Sequence, residues 1–87
     1  MTIELFKENQ KGKCYTTDDF KIYYRNKDTV SGDNSENVEE VIYLITGKAE
    51  VTLKDSTRTV ESPAEINIPA KTYHKIKALT DIAFLIF

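Results

Sequence analysis

Val38-Glu39-Glu40-Val41-Ile42-Tyr43-Leu44-Ile45-Thr46-Gly47 is the stretch on which the fold turns. Two periods fit it. Val38, Val41, Ile42 and Ile45 make an i, i+3, i+4, i+7 stripe, with Asn34 or Ser35 available as N-cap and Gly47 as C-terminal stop. Against the helix, Val41 to Thr46 is dense in β-branched and aromatic side chains, which favour a pleated surface. The residues that follow alternate cleanly, Ala49, Val51 and Leu53 against Lys48, Glu50 and Thr52. We read a strand, with Thr46-Gly47 closing a tight hairpin into Lys48 to Lys54, because glycine accepts the positive φ of such turns.

The same period of two recurs outward from this point. Phe20, Ile22 and Tyr24 alternate with Lys21, Tyr23 and Arg25; Ile66 and Ile68 with Glu65 and Asn67; His74, Ile76 and Ala78 with Lys75, Lys77 and Leu79. Asp81 to Phe87 is apolar on both faces after its first residue, as a central strand would be. Asp55-Ser56 marks a second hairpin into Thr57–Glu61, and Pro63 and Pro69 bracket a short strand suited to a sheet edge. Ser31-Gly32-Asp33-Asn34-Ser35 reads as the one polar loop of any length. Short strands at this spacing predict one all-β domain over residues 1–87, a sandwich or barrel.

Composition narrows the function. The 87 residues carry net charge −2, and the 12 basic residues are scattered singly, so the dense cationic surface that duplex nucleic acid requires is not expected. No apolar run approaches the ~18 residues of a membrane span, and no leader pattern opens the chain. A lone cysteine, Cys14, offers no intramolecular disulfide, which points to the cytoplasm. Leu, Ile, Val and Phe make up about a quarter of the residues, enough to fold but with a thin core. A homodimer is the expected cover for that core and for the apolar strand at Asp81 to Phe87.

Glu40, six residues and Gly47 resemble the second half of the first cupin motif, in which a metal-binding H-x-H lies shortly before the glutamate. Ile68-Pro69-Ala70-Lys71-Thr72-Tyr73-His74 resembles the second cupin motif, P-x-G-x-x-H. The resemblance covers about residues 30 to 87 and implies a small double-stranded β-helix, or jelly-roll barrel. It places Asn34 and Glu36 at the two H-x-H positions, Lys71 at an internal glycine and Ala78 at a final asparagine. The implied three-His-one-carboxylate set becomes Asn34, Glu36, Glu40 and His74. Transition metals favour imidazole, and His74 is the only histidine, so a degraded metal site is expected. The expected cofactor is none, or a divalent ion held weakly by Glu36, Glu40 and His74.

Asn34, Glu36 and Glu40 share parity with Ile42 and Leu44, and His74 shares a face with Ile76, so these positions point into the barrel if the strand runs unbroken from Asn34 to Leu44. Tyr73, next to His74 at the expected mouth, is the tyrosine singled out for the pocket. Asn34, Glu36, Tyr73 and Ile76 are the expected ligand-binding residues. Two functions follow. One is a cupin-like protein binding a small polar ligand without redox chemistry. The other is an isomerase- or epimerase-like enzyme acting on a sugar or keto acid through His74 and Glu40 as an acid/base pair. A pure interaction module would instead have a filled barrel.

Overall fold

The computed structural model describes residues 1–35 and 38–87. Its described residues form ten β-strands: β1 (Glu4–Asn9), β2 (Gly12–Thr16), β3 (Lys21–Arg25), β4 (Val30–Ser35), β5 (Glu40–Thr46), β6 (Lys48–Leu53), β7 (Ser56–Glu61), β8 (Ala64–Ile68), β9 (Tyr73–Ala78) and β10 (Ile82–Ile86). They make a six-stranded sheet, β1-β2-β3-β10-β5-β8, and a four-stranded sheet, β4-β9-β6-β7. All pairings are antiparallel. No helix among the described residues is long and apolar enough to cross a membrane.

The pairings nest. β6 pairs with β7, β5 with β8, β4 with β9 and β3 with β10, so the chain is a long antiparallel ribbon rolled over itself. Successive pairs fall in opposite sheets, and the two sheets close on a shared core. That is the path of a jelly roll. The core takes Ile42, Leu44, Ile66, Ile68, Ile82 and Phe84 from the larger sheet and Ala49, Val51, Ile76 and Ala78 from the smaller one. On β6, β8 and β9 these are the residues that the period of two placed on the apolar face.

Several local expectations are corrected. Thr46-Gly47 does not close a hairpin: β5 and β6 lie in different sheets, and the chain crosses between them at Gly47. Gly47 has φ +91°, and a Cβ there would lie 2.3 Å from the Asp81 carbonyl oxygen, so the crossing requires glycine. Ser31–Ser35 is strand rather than loop. Its turn-forming residues are absorbed in a register shift between Gly32 and Asn34, at an edge strand where Gly32 and Asp33 both take positive φ. The strand from Asn34 to Leu44 is not continuous, because β4 ends at Ser35 in one sheet and β5 begins at Glu40 in the other. The β1–β2 hairpin was not foreseen, and every residue of β1 is exposed, so no apolar alternation marks it.

Other expectations hold. Glu40–Thr46 is strand, β10 lies centrally between β3 and β5, and β8, bracketed by Pro63 and Pro69, forms an edge. The second hairpin turns at Lys54-Asp55, one residue earlier than read, with Lys54 at φ +57°.

Candidate functional site

Between the two sheets lies an open cavity of about 240 Å3. Its floor is apolar, from Ile42, Ile76, Phe84 and Ile86, each on the inward face of its strand. Polar groups ring it. His74 is the second residue of β9, paired across to Asn34 on β4 and to Leu53 on β6. Asn34 and Glu40 lie at the adjoining ends of β4 and β5 and reach the same space from opposite sheets. Of the residues singled out from sequence, the structure therefore brings Asn34, Glu40, His74 and Ile76 together.

His74 is 4% exposed, and its Nδ1 has no hydrogen-bond partner among the described residues. The opposite ring edge lies against Gly32. A Cβ there would fall 2.7 Å from the ring Cδ2 and 2.8 Å from Nε2, so Gly32, at φ +83°, makes room for the imidazole. Buried polar atoms in folded proteins are normally paired, and an orphan among cavity-lining residues marks a place where local satisfaction has been given up.

Tyr73 does not join this group. It lies on the other face of β9, where its hydroxyl donates to Asp33 Oδ1. That hydrogen bond holds the phenol above its ordinary range. Its place at the mouth is corrected by strand parity: if His74 points in, its neighbour points out. Glu36 lies outside the described residues.

Arg25, Lys11 and Ser31, which the sequence did not single out, also line the cavity, together with Tyr23. Of the two alternating sets on β3, Tyr23 and Arg25 face inward, whereas Tyr24 is exposed. Tyr23 stacks on Phe84, with centroids 5.0 Å apart and planes 9° from parallel. The Arg25 guanidinium lies over the Tyr23 ring at 5.1 Å. Arg25 Nε–H donates to Ser31 Oγ at 3.3 Å and Nη1–H to the Tyr24 carbonyl at 3.3 Å. Burial, then the neighbouring Cys14 thiol, pushes the Tyr23 phenol up to about 12. Cys14 itself is buried.

Comparison with solved structures fixes the architecture. A cupin superfamily protein from Desulfitobacterium hafniense superposes with a TM-score of 0.73 over 98% of this chain and 72% of its own, at 10% identity. A cupin 2 domain-containing protein from Halorhodospira halophila gives 0.73 over 77% of this chain and 48% of its own, at 18% identity. The fold is cupin-like. A protein of unknown function from Vibrio parahaemolyticus gives 0.79 over 99% of this chain and 97% of its own, at 11% identity. No protein-family model matches the sequence, and no curated protein does. These identities support the cupin-like fold and carry no activity with them.

Within that fold, the resemblance implied a metal held by three imidazoles and a carboxylate. Among the described residues, no three His, Cys, Asp or Glu side chains converge where they could hold an ion. The described members of the implied set are one imidazole, one carboxylate and one amide, and two cations, Arg25 and Lys11, line the same cavity. These described donors hold a single imidazole, where transition metals favour several.

Lys71, at the internal glycine of the second motif, has φ +57°. The backbone thus keeps the left-handed conformation that glycine ordinarily supplies, with the side chain replaced.

Proposed function

We propose that this cupin-like chain binds a small polar ligand in the cavity between its sheets, without redox chemistry. One observation carries the reading: an open cavity with an apolar floor and a ring of polar side chains, among them a buried histidine whose Nδ1 no described residue satisfies. A few well-placed polar groups over an apolar lining are the usual make-up of a small-molecule site, and a filled interaction barrel would not have one. A volume near 240 Å3 is below the ~300–1,000 Å3 of pockets for drug-sized ligands, which favours a compact molecule. The buried free thiol of Cys14 fits a reducing compartment, and we place the protein in the cytoplasm.

Thermal denaturation against a panel of sugars, polyols and organic acids tests the proposal. A ligand at a hundred times its Kd adds about 2.7 kcal/mol, a rise of at least ~10 °C for a domain of this size. No shift from any class would overturn the reading. So would stoichiometric transition metal in the purified protein by elemental analysis. A second reading draws on Glu40 and His74 lining one cavity: acid/base isomerisation or epimerisation of a sugar or keto acid. It requires an activity, found by substrate screening, that His74→Ala abolishes with the fold intact.

A further inference from the structure

Arg25 lines the cavity with its guanidinium held on two sides. Its guanidinium lies over the Tyr23 ring, and Tyr23 is itself stacked on Phe84 in the core. Its Nε and Nη1 are committed to Ser31 and the Tyr24 carbonyl. Arg25 as a residue is half-buried, and Lys11 lines the same cavity. Two cations thus face one cavity, Arg25 from β3 and Lys11 from the β1–β2 turn. A half-buried cation aimed into an open cavity is a poor device for stability. It is a good one for an incoming anion, because the ordering cost has already been met.

From this geometry we infer that the ligand is a small monocarboxylate, with its carboxylate on Arg25 and Lys11 and its body over Ile42, Ile76, Phe84 and Ile86. The inference rests on the binding reading above and names the class of ligand. A guanidinium fork suits both carboxylate and phosphate. Two features choose between them. Glu40 lines the same cavity, and its negative charge opposes a dianion more strongly than a monoanion. The apolar floor gives a short carbon skeleton something to bury against, which inorganic phosphate lacks. Asn34, at the cavity rim, can meet a hydroxyl or carbonyl elsewhere on the molecule.

Calorimetry with 2-hydroxyisovalerate, 2-oxoisovalerate and benzoate, their primary amides, inorganic phosphate and erythritol tests the inference. At least one acid is expected to bind roughly tenfold to a hundredfold tighter than its amide, the range for a hydrogen bond to a charged group. Arg25→Gln should erase that preference while leaving the weaker amide binding in place. Lys11→Gln, at an exposed turn, should reduce acid binding several-fold and serves as the second variant if Arg25→Gln does not fold. Acid and amide binding equally, with Arg25→Gln changing neither, would overturn the carboxylate assignment and leave the cavity reading standing. Phosphate binding tighter than every acid would overturn it in favour of a phosphate site. No binding by any probe, erythritol and amides included, would overturn both readings.

Discussion

Replacing His74 with leucine separates what the residue does for the fold from what it does for the site. The side chain is 4% exposed, and its Nδ1 finds no partner among the described residues. A buried polar atom left unsatisfied costs ~1–3 kcal/mol. Leucine removes that atom and fills comparable space beside Leu53 and Gly32, and hydrophobic swaps of conserved volume cost under ~1.5 kcal/mol. The balance for His74→Leu lies between about zero and 2 kcal/mol in favour of the variant. At about 4–8 °C per kcal/mol for a small domain, a stabilisation of that size is readily measured, against a total stability of ~4–13 kcal/mol for this length. Urea titration should show an unchanged slope and an equal or higher midpoint. His74→Ala, which removes the same atom but leaves a void, should be destabilised by about 2 kcal/mol or more. Both variants should lose ligand binding. A His74→Leu protein less stable than wild type by more than about 1 kcal/mol would refute the reasoning, since it would mean that the imidazole is held by an interaction the structure does not contain.

Two further outcomes follow from features described above. Tyr23 titrates near 12 in the folded chain against 10.0 for free tyrosine, so the native state keeps its phenolic proton longer. Stability from this group is complete below pH 10 and falls as pH rises toward 12; Tyr23→Phe should flatten that fall in alkaline unfolding curves. Tyr43, Ile45 and Phe87 are 36%, 48% and 70% exposed on the outer face of the six-stranded sheet and, with Leu85, line an apolar depression. A second copy covering this patch would give twice the 10.0 kDa chain mass in sedimentation, and Ile45→Lys should return the monomer. A monomeric wild type at micromolar concentration would count against that interface.

The legible part of this fold was the part governed by one rule, side-chain alternation across a half-buried sheet. Ala49 and Val51, Ile66 and Ile68, and His74, Ile76 and Ala78 all face inward as their period requires. Where burial was slight, the rule had nothing to act on, and the wholly exposed β1 was invisible. On β3 the period of two marked Phe20, Ile22 and Tyr24 as the apolar set, yet Tyr23 and Arg25 line the cavity, Arg25 over the Tyr23 ring and hydrogen-bonded to Ser31 on the opposite sheet. Gly47 was correctly taken as a positive-φ position but wrongly as a hairpin turn. Glycine serves a sheet crossing as well as a turn, and only the Asp81 backbone across from it tells the two apart. Ser31–Ser35 carried breakers that usually end a strand, yet an edge strand tolerates them as a bulge. Half of the candidate site was therefore legible through His74, Glu40, Asn34 and Ile76. Its cationic half came from the face of β3 that the alternation had marked as polar.

The nesting of strand pairs also sets an order of assembly. β6 and β7 meet across two residues, whereas β3 and β10 are separated by almost the whole barrel. Forming the inner hairpin first brings β5 to β8, which brings β4 to β9, and each closure spares the next a long search. A ribbon that rolls up from its bend should have substitutions in β6 and β7 slow folding, while those in β3 and β10 mainly speed unfolding. On that account Tyr23 and Arg25, carried by β3, reach the cavity only in the last step. The anion-binding half of the pocket would then be the most recently formed and most easily opened part of the molecule.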